Sequence, residues 1–276
     1  GRTLAACAAE DGRVCAITAA MADGTGLAPF AKEFPDRFFD VAIAEGHGVA
    51  MAAGLAKQGM LPVFAVYSSF LQRGYDMLIH DVALQRLHVV LGVDRAGLVG
   101  ADGETHHGCF DVLYLSQIPG FTVLCPSSFA ELRLFEIDGP VALRYPRGGE
   151  GNFREDTAGE SVAWLRRGED VTLLSYGILI NHLLEAAELL EQKGIHAGVV
   201  KLNRVSPLGP EEAAAIGHVK RLLVLEDSFG AGCVGQRLAA ILMEAGLAPD
   251  HLILKNLGKT YAPEGTVAQL EERFGL

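Results

Sequence analysis

The chain has 276 residues, half of them hydrophobic, and a formal net charge of -11 at pH 7. At roughly 100–200 residues per domain, this length predicts two domains, each with its own core. An acidic chain without a basic run is a poor partner for nucleic acid or an anionic membrane surface, and no apolar run reaches the ~20 residues of a membrane span.

Short apolar runs alternate with helical patterns through the first half of the chain. Their near-continuous hydrophobicity is typical of a parallel sheet covered on both faces. The six predicted strands are Val14–Thr18, 39–43, 62–67, 89–93, 122–125 and Val141–Arg144. The predicted helices are Glu45–Lys57, 69–85 and 127–136. The last of these is short for a crossover between parallel strands, so residues could be absent there.

A glycine-rich, charged stretch at 146–151 separates a second unit from the first. Residues 149–167 are predicted to be a linker with one edge strand. The strands predicted after it are 171–175, 198–201, Arg221–Leu225 and 252–254, with helices at 180–190, 211–217 and 231–245. We therefore predict an α/β fold with two domains, 1–148 and 168–276, both built on mainly parallel sheets.

The cysteines have neither CxxC pairs nor the spacing of a metal finger. They are Cys7, Cys15, Cys109, Cys125 and Cys233. Most lie in apolar sequence, so buried, reduced thiols in a cytoplasmic protein are expected. No signal peptide is recognised.

A lone carboxylate, Glu45, stands where the second predicted strand meets the first helix, among alanines and glycines. If buried, it would be poorly solvated and able to hold or share a proton at neutral pH, as a proton partner for a bound heterocycle must. The alternative is a glutamate that offsets the helix dipole. Position alone favours neither.

Two polar segments follow predicted strand ends, where ligands bind in open α/β sheets. In YSSFLQR at 67–73, Phe70 can stack on a flat ring, unless it is a core residue and Arg73 is merely solvated. In the glycine-rich loop 94–108, Arg95 has the planar fork that suits phosphate or carboxylate, and His106 can donate to an anion or move a proton. The alternative for this loop is an ordinary surface loop.

A third segment, RYPRG at 144–148, leaves the last strand of the first unit. Pro146 stiffens the approach to Arg147 because its ring fixes φ. Arg95 and Arg147 follow different strands and could therefore converge on one phosphate, although spacing cannot prove it.

Together these segments resemble the 1-deoxy-D-xylulose-5-phosphate synthase family of the transketolase superfamily. The matching stretches are FPDRFFDVAIAE at 34–45, AAGLA at 52–56, YSSFLQRGYD at 67–76, HDVALQ at 80–85, DRAGLVGADGETHHG at 94–108 and RYPRG at 144–148. Residues 170–276 resemble the family's C-terminal domain less distinctively. The resemblance implies a transferase that uses thiamine diphosphate to condense pyruvate with glyceraldehyde 3-phosphate, with loss of carbon dioxide, in isoprenoid precursor, thiamine and pyridoxal biosynthesis. It also implies a homodimer.

The same resemblance implies a role for each matched residue. Glu45 would contact N1′ of the cofactor's aminopyrimidine and act with His106 in catalysis. Phe70 would stack on that ring, with Arg73 also at the cofactor. The positions that would line the acceptor pocket are Tyr67, Arg73, Arg95, Asp102, His106 and Arg147, with Arg95 and Arg147 as phosphate ligands.

The family holds the diphosphate and Mg²⁺ through a GDG…N motif in a preceding domain, and this sequence contains no GDG. The implied partner is therefore that domain or a separate subunit, the chain has no metal ligands of its own, and alone it is expected to be inactive. Where the family usually has AEQHAV, residues 44–49 are AEGHGV, and His107 replaces a frequent Gln. Two alternatives stay open: a split transketolase-like subunit with other substrates, motivated by Gly46 and Gly48, and a non-catalytic assembly module.

Overall fold

The computed structural model describes residues 1–132, 135 and 137–276. Its strands are β1 Val14–Thr18, β2 Phe38–Asp40, β3 Leu61–Tyr67, β4 Val90–Asp94, β5 Thr122–Leu124, β6 Val141–Arg144, β7 Val162–Arg166, β8 Val171–Tyr176, β9 Ala197–Leu202, β10 Arg204–Ser206, β11 Arg221–Leu225 and β12 His251–Lys255. Its α-helices are α1 Arg2–Glu10, α2 Ala28–Glu33, α3 Glu45–Lys57, α4 Ser68–Leu71, α5 Tyr75–Met77, α6 Asp111–Ser116, α7 Ile180–Glu191, α8 Pro210–Ile216, α9 Val234–Glu244 and α10 Val267–Phe274.

The first sheet has the order β10-β5-β6-β4-β3-β1-β2. All its neighbours pair in parallel except β10, which is antiparallel to β5. The residues of β1, β4 and β6 are buried throughout, because helices cover both faces of the sheet. The predicted α/β architecture with mainly parallel sheets is confirmed.

The second sheet has the order β12-β11-β8-β9-β7 and is parallel except for β7, which pairs antiparallel with β9. Strand β7 lies inside the predicted linker and is the edge strand expected there. Strand β10 was not predicted, since three residues are too few for a periodic signal. It follows β9 in the chain yet joins the first sheet, so the two sheets are tied together by backbone hydrogen bonds.

Two predicted elements differ from the structure. The helix predicted at 69–85 is a succession of α4, a 3₁₀ turn, α5 and a π-helical turn at Leu78–Ala83. Gly74 lies so close to α3 that a Cβ there would be 2.8 Å from Val49 Cγ2, so this segment follows the surface of α3 rather than one regular axis. The strand predicted at 39–43 ends at Asp40, because Ala42 has a φ of 55° that no strand accommodates.

The helix predicted at 127–136 is also wrong for the residues that can be compared. Phe129–Glu131 forms a single 3₁₀ turn, and positions 133, 134 and 136 lie outside the described residues. The Glu131 carboxylate accepts a hydrogen bond from the Ser127 backbone N–H at 2.7 Å and from Lys201 Nζ at 2.8 Å. These two hydrogen bonds connect the Glu131 side chain with the Ser127 backbone and with Lys201, and so stabilise the turn.

No helix among the residues that the structure describes is long and apolar enough to cross a membrane. All five cysteines are free. Burial raises the pKa of the Cys15 and Cys233 thiols to about 11, which keeps them protonated at neutral pH.

Candidate active site

Strands β3, β4 and β6 lie side by side and end at the same edge of the first sheet. Tyr67, the last residue of β3, is in register with Asp94, and Val93 is in register with Arg144. The loops that leave this edge carry all the predicted site residues except Glu45, which follows β2. The parallel topology therefore brings together segments that are far apart in sequence.

Glu45 is the first residue of α3 and is only 3% exposed. Its Oε1 accepts a hydrogen bond of 3.1 Å from Nη1 of Arg73, whose side chain is 58% exposed. The carboxylate is thus buried and also lies at the start of a helix. Its position is therefore compatible with both alternatives, a proton partner for a heterocycle and a glutamate that offsets the helix dipole. The sequence did not indicate Arg73 as its charge partner, because the two residues are 28 positions apart.

Aromatic side chains connect Arg73 with the loop after β4. The Arg73 guanidinium lies 4.9 Å from the centre of the Phe70 ring. The Phe70 ring in turn meets the His106 ring edge-on at 5.1 Å and stacks on Tyr67 at 5.7 Å. His106 Nδ1 is also 3.0 Å from the Thr105 hydroxyl. Phe70 is half-buried rather than a core residue, so one ring links the two halves of the site.

The two arginines singled out in the sequence converge on one carboxylate. Arg95 Nε donates to Asp102 Oδ2 at 3.1 Å, and Arg147 Nη1 donates to Asp102 Oδ1 at 2.8 Å. The Arg95 guanidinium also lies 3.7 Å from the centre of the Tyr67 ring. The predicted site residues therefore form one unbroken series of contacts from Glu45 to Arg147.

Asp94 is an acidic residue of this site that was not among the residues predicted from the sequence. It ends the apolar strand β4, is 7% exposed, and pairs with Arg95 at 3.3 Å. Burial raises the pKa of Asp94 to about 6, and Arg95 opposes that rise. Burial also raises the pKa of the Tyr67 hydroxyl. A carboxylate directly after a wholly apolar run was the available signal.

A cavity of about 350 Å³ opens beside the arginines. Asp94, Arg95 and Arg147 line it, and so does the 127–129 turn. Its size suits a small ligand. Neither Glu45 nor Phe70 is among the described residues that line it. The site thus has two parts, the cavity with its arginines and the Glu45–Phe70 surface, joined by Tyr67.

A buried network of ion pairs and hydrogen bonds, which was not predicted from the sequence, lies beneath these loops and supports them. Arg144 Nε donates to Asp111 Oδ1 at 2.9 Å, and its Nη2 donates to Asp227 Oδ1 at 2.8 Å. Ser68, next to Tyr67, donates to Asp111 Oδ2 at 3.0 Å. Burial raises the pKa of Asp111, and the Arg144 charge opposes this rise. The network joins the ends of β3, β6 and β11.

His107 anchors the loop after β4 to the C-terminal segment. Its Nδ1 accepts from the Val99 backbone N–H at 3.2 Å, and its Nε2 lies 3.1 Å from the Pro263 carbonyl oxygen. Since Nδ1 accepts, the hydrogen must be on Nε2, which donates to Pro263. Both ring nitrogens of this buried histidine are therefore engaged.

The part of the chain that the structure describes contains no group of three or more His, Cys, Asp or Glu side chains placed to hold a metal ion.

Comparisons with known proteins match the whole chain. Residues 1–149 match the family described as the transketolase pyrimidine-binding domain, and residues 160–276 match the transketolase C-terminal domain. Similar curated proteins include 1-deoxy-D-xylulose-5-phosphate synthase of Heliobacterium modesticaldum, 43% identical over 99% of this chain. Another is 1-deoxy-D-xylulose-5-phosphate synthase 1 of Geobacter metallireducens, 44% identical over 100% of this chain. The chain spans only 44% and 46% of the length of these two relatives.

Solved structures agree with the fold. A chain described as a split gene transketolase in an inactive beta4 tetramer has a TM-score of 0.84 and 26% identity, with 100% of this chain and 91% of that chain covered. Transketolase from Pichia stipitis has a TM-score of 0.80 at 15% identity, with 99% of this chain and 42% of that chain covered, and this likeness concerns the fold alone.

Proposed function

Because this chain belongs to the transketolase family, with its pyrimidine-binding and C-terminal domains, we propose that it forms the pyrimidine end and acceptor pocket of a thiamine diphosphate-dependent 1-deoxy-D-xylulose-5-phosphate synthase. The reaction would be the decarboxylative condensation of pyruvate with glyceraldehyde 3-phosphate. The carrying observation is the unbroken series of contacts from Glu45 to Arg147. The series includes a buried carboxylate, an aromatic face and three arginines, and this combination supports the proposal.

The residues present suit the pyrimidine end of the cofactor. Glu45 is a buried carboxylate that can hold a proton at a ring nitrogen, and Phe70 offers an aromatic face for a flat ring. Arg73 contacts both side chains and so holds the carboxylate beside the aromatic ring. When bound, the cofactor supplies a thiazolium carbon that stabilises the negative charge left when carbon dioxide departs.

The arginines suit the phosphate of the acceptor. Arg95 and Arg147 follow two different strands, and both donate hydrogen bonds to the Asp102 carboxylate. Both arginines also line the cavity. A phosphate there can take bidentate hydrogen bonds from either arginine. His106 lies against Phe70, and its ring can move a proton to or from the acceptor oxygen.

We propose further that the diphosphate and Mg²⁺ are held by a GDG-containing segment or by a separate subunit, in an assembly with a second copy of this chain. The likeness to a split gene transketolase in an inactive beta4 tetramer supports this, because that chain has nearly the same extent. The free cysteines favour the reducing cytoplasm as its compartment.

The test is reconstitution of the chain with the GDG-containing part of a full-length relative. Glu45→Gln should lower the rate on pyruvate and glyceraldehyde 3-phosphate about 10²- to 10⁴-fold, since it removes the group that exchanges the proton. Glu188→Gln, at an exposed position of α7, is the matched control and should leave the rate unchanged. A reconstituted enzyme that tolerates Glu45→Gln would contradict the proposal.

The same assay separates the rival functions. Turnover with ketose phosphates but not pyruvate would assign the chain to a split transketolase-like enzyme, the second candidate that the 26% identity to a split gene transketolase favours. Stable assembly with no turnover on either donor would assign it a non-catalytic role.

A further inference from the structure

A second cavity, of about 310 Å³, lies at the opposite edge of the first sheet. It is lined by Ser116 at the end of α6, by residues 118–122 up to the start of β5, by 206–208 from the end of β10, and by Arg237 and Ile241 of α9. The cavity lies where the parallel strands begin, at the amino-terminal end of the sheet. The candidate active site lies where these strands end, at the carboxyl-terminal end of the sheet. This cavity is therefore separate from that site and is walled by both halves of the chain.

Two polar residues of this cavity have buried atoms without hydrogen-bond partners. Nε and Nη2 of Arg237 and the hydroxyl oxygen of Ser116 are inaccessible and unpaired. Burial lowers the pKa of the Arg237 guanidinium, which expresses the cost of keeping a cation there. The Arg237 side chain is half-buried, and its Nη1 is not among the buried atoms without partners. Two buried N–H groups of a cation without acceptors are nevertheless unfavourable, so they call for an explanation.

No carboxylate of the cavity supplies a counter-ion for Arg237. Among the described residues that line it, Arg237 is the only one with an ionisable side chain. The Glu226 carboxylate raises the pKa of Arg237 through its charge, but its hydrogen bonds go elsewhere. They come from the Tyr176 and Ser228 hydroxyls and from two backbone N–H groups at the start of α9.

We propose that this cavity binds a phosphate group, as inorganic phosphate or as a small phosphomonoester, held by Arg237 and Ser116. Nε and Nη2 of Arg237 and the Ser116 oxygen are inaccessible in this structure, so the Arg237 side chain must turn toward the cavity for a ligand to reach them. The Nε–Nη2 edge of the guanidinium then matches two oxygens of one phosphate, and the serine hydroxyl can donate to a third. The volume leaves room for a few carbon atoms beyond the phosphate, against the apolar walls. Because both halves of the chain form the walls, the bound anion stabilises their packing.

The test is thermal unfolding of the 276-residue chain in phosphate-free buffer, titrated with inorganic phosphate or glycerol phosphate at constant ionic strength. Since Arg147 is itself proposed to bind phosphate, the measurements use an Arg147→Gln background. At ten times the Kd, the unfolding temperature should rise by about 3 °C. Arg237→Met should abolish that rise, and Arg237→Lys and Ser116→Ala should weaken it. Arg273→Met, at an exposed position of α10, is the matched control and should retain it.

Three outcomes would overturn the proposal. If Arg147→Gln alone abolishes the response to phosphate, the candidate active site accounts for it. If Arg237→Met keeps the response, the cavity does not bind phosphate. If no response occurs and Arg237→Met raises the unfolding temperature equally in both buffers, the cavity holds only water. If Arg237→Met does not fold, the proposal is tested by whether Arg237→Lys and Ser116→Ala weaken the phosphate-dependent rise in unfolding temperature. A larger rise with glycerol phosphate than with inorganic phosphate would identify a phosphomonoester as the ligand.

Discussion

Acidic residues of the candidate site are each paired with arginine. Glu45 pairs with Arg73, and Asp102 pairs with both Arg95 and Arg147. A ligand that binds one of these groups must therefore compete with its partner for the same hydrogen bonds.

Asp94 should give the folded chain a measurable pH dependence. Burial raises its folded-state pKa from 3.8 to about 6, so the folded chain binds more protons than the unfolded chain between about pH 4 and 6. The contribution of Asp94 to stability must therefore fall as pH rises through this window and stay low above it. Asp94→Asn removes the fall and should raise the free energy of unfolding at pH 7 by about 1–3 kcal/mol.

Urea unfolding of the wild type and Asp94→Asn at several values between pH 4 and 8 checks this prediction. The difference between the two proteins is the relevant quantity, because other carboxylates titrate in both. Asp36→Asn, an exposed aspartate, should show no such difference from the wild type. Parallel stability profiles for the wild type and Asp94→Asn would contradict the prediction.

His107 should be replaceable by glutamine but not by leucine. A glutamine side chain has both an acceptor for the Val99 N–H and a donor for the Pro263 carbonyl, whereas leucine leaves both unpaired. We expect His107→Leu to lower the free energy of unfolding by about 1–3 kcal/mol, and His107→Gln to change it little. Hydrogen exchange at the Val99 amide should accelerate only in the leucine variant. Equal exchange in both variants would mean that His107 does not anchor the loop.

At the scale of elements, α3 owes its close approach to β3 to a glycine. A Cβ on Gly48 would lie 2.7 Å from Cζ of Phe64, whose ring is fully buried. In the sequence, the departure from AEQHAV only motivated the alternative of other substrates, whereas the structure gives Gly48 a packing role. Gly46 is less constrained, since a Cβ there would meet only the flexible end of Met77.

Two glycine replacements in α3 should therefore act in opposite directions. Gly48→Ala should destabilise the chain by about 1–3 kcal/mol, because a methyl group is forced against the Phe64 ring. Gly54 is exposed with open space around it, so Gly54→Ala should stabilise the chain by about 0.5–1 kcal/mol through helix propensity alone. Denaturant unfolding measures both. Stabilisation by Gly48→Ala would show that the ring gives way easily.

At the scale of the whole molecule, one buried arginine connects the two sheets. Arg144 ends β6 of the first sheet and bonds Asp111 at the start of α6 and Asp227 just after β11 of the second sheet. Gly97 allows the loop after β4 to lie against this network, since a Cβ there would be 1.9 Å from Asp227 Oδ2. The site loops and the second sheet therefore share one set of buried charges.

Loss of this arginine should affect the entire chain. Arg144→Ala leaves two buried carboxylates without their cation and should lower the free energy of unfolding by about 3–5 kcal/mol. Arg166→Ala breaks the exposed Arg166–Glu191 pair and should cost less than about 1 kcal/mol. Urea unfolding followed by circular dichroism compares them. Similar losses in the two variants would mean that the network is not what couples the sheets.

Apart from β10 and the end of β2, the strands, the α/β class and the loops of the candidate site could be predicted from the amino-acid sequence alone. Apolar runs long enough to cross a buried sheet are visible in one dimension, and so are the glycines and charges that follow them. Glu45 was recognised for this reason, because it follows an apolar run. Its sequence position left open whether it is buried, and the structure shows that it is.

Which charged side chains pair with each other depends on the tertiary fold. Arg73 lies 28 positions from Glu45, and Arg144 lies 83 positions from Asp227, so neither pair leaves a local signal. The same holds for β10, which is recognisable only through its pairing with β5. Periodicity reports which side of an element is buried, whereas partners across the fold depend on how the sheets and loops pack in three dimensions.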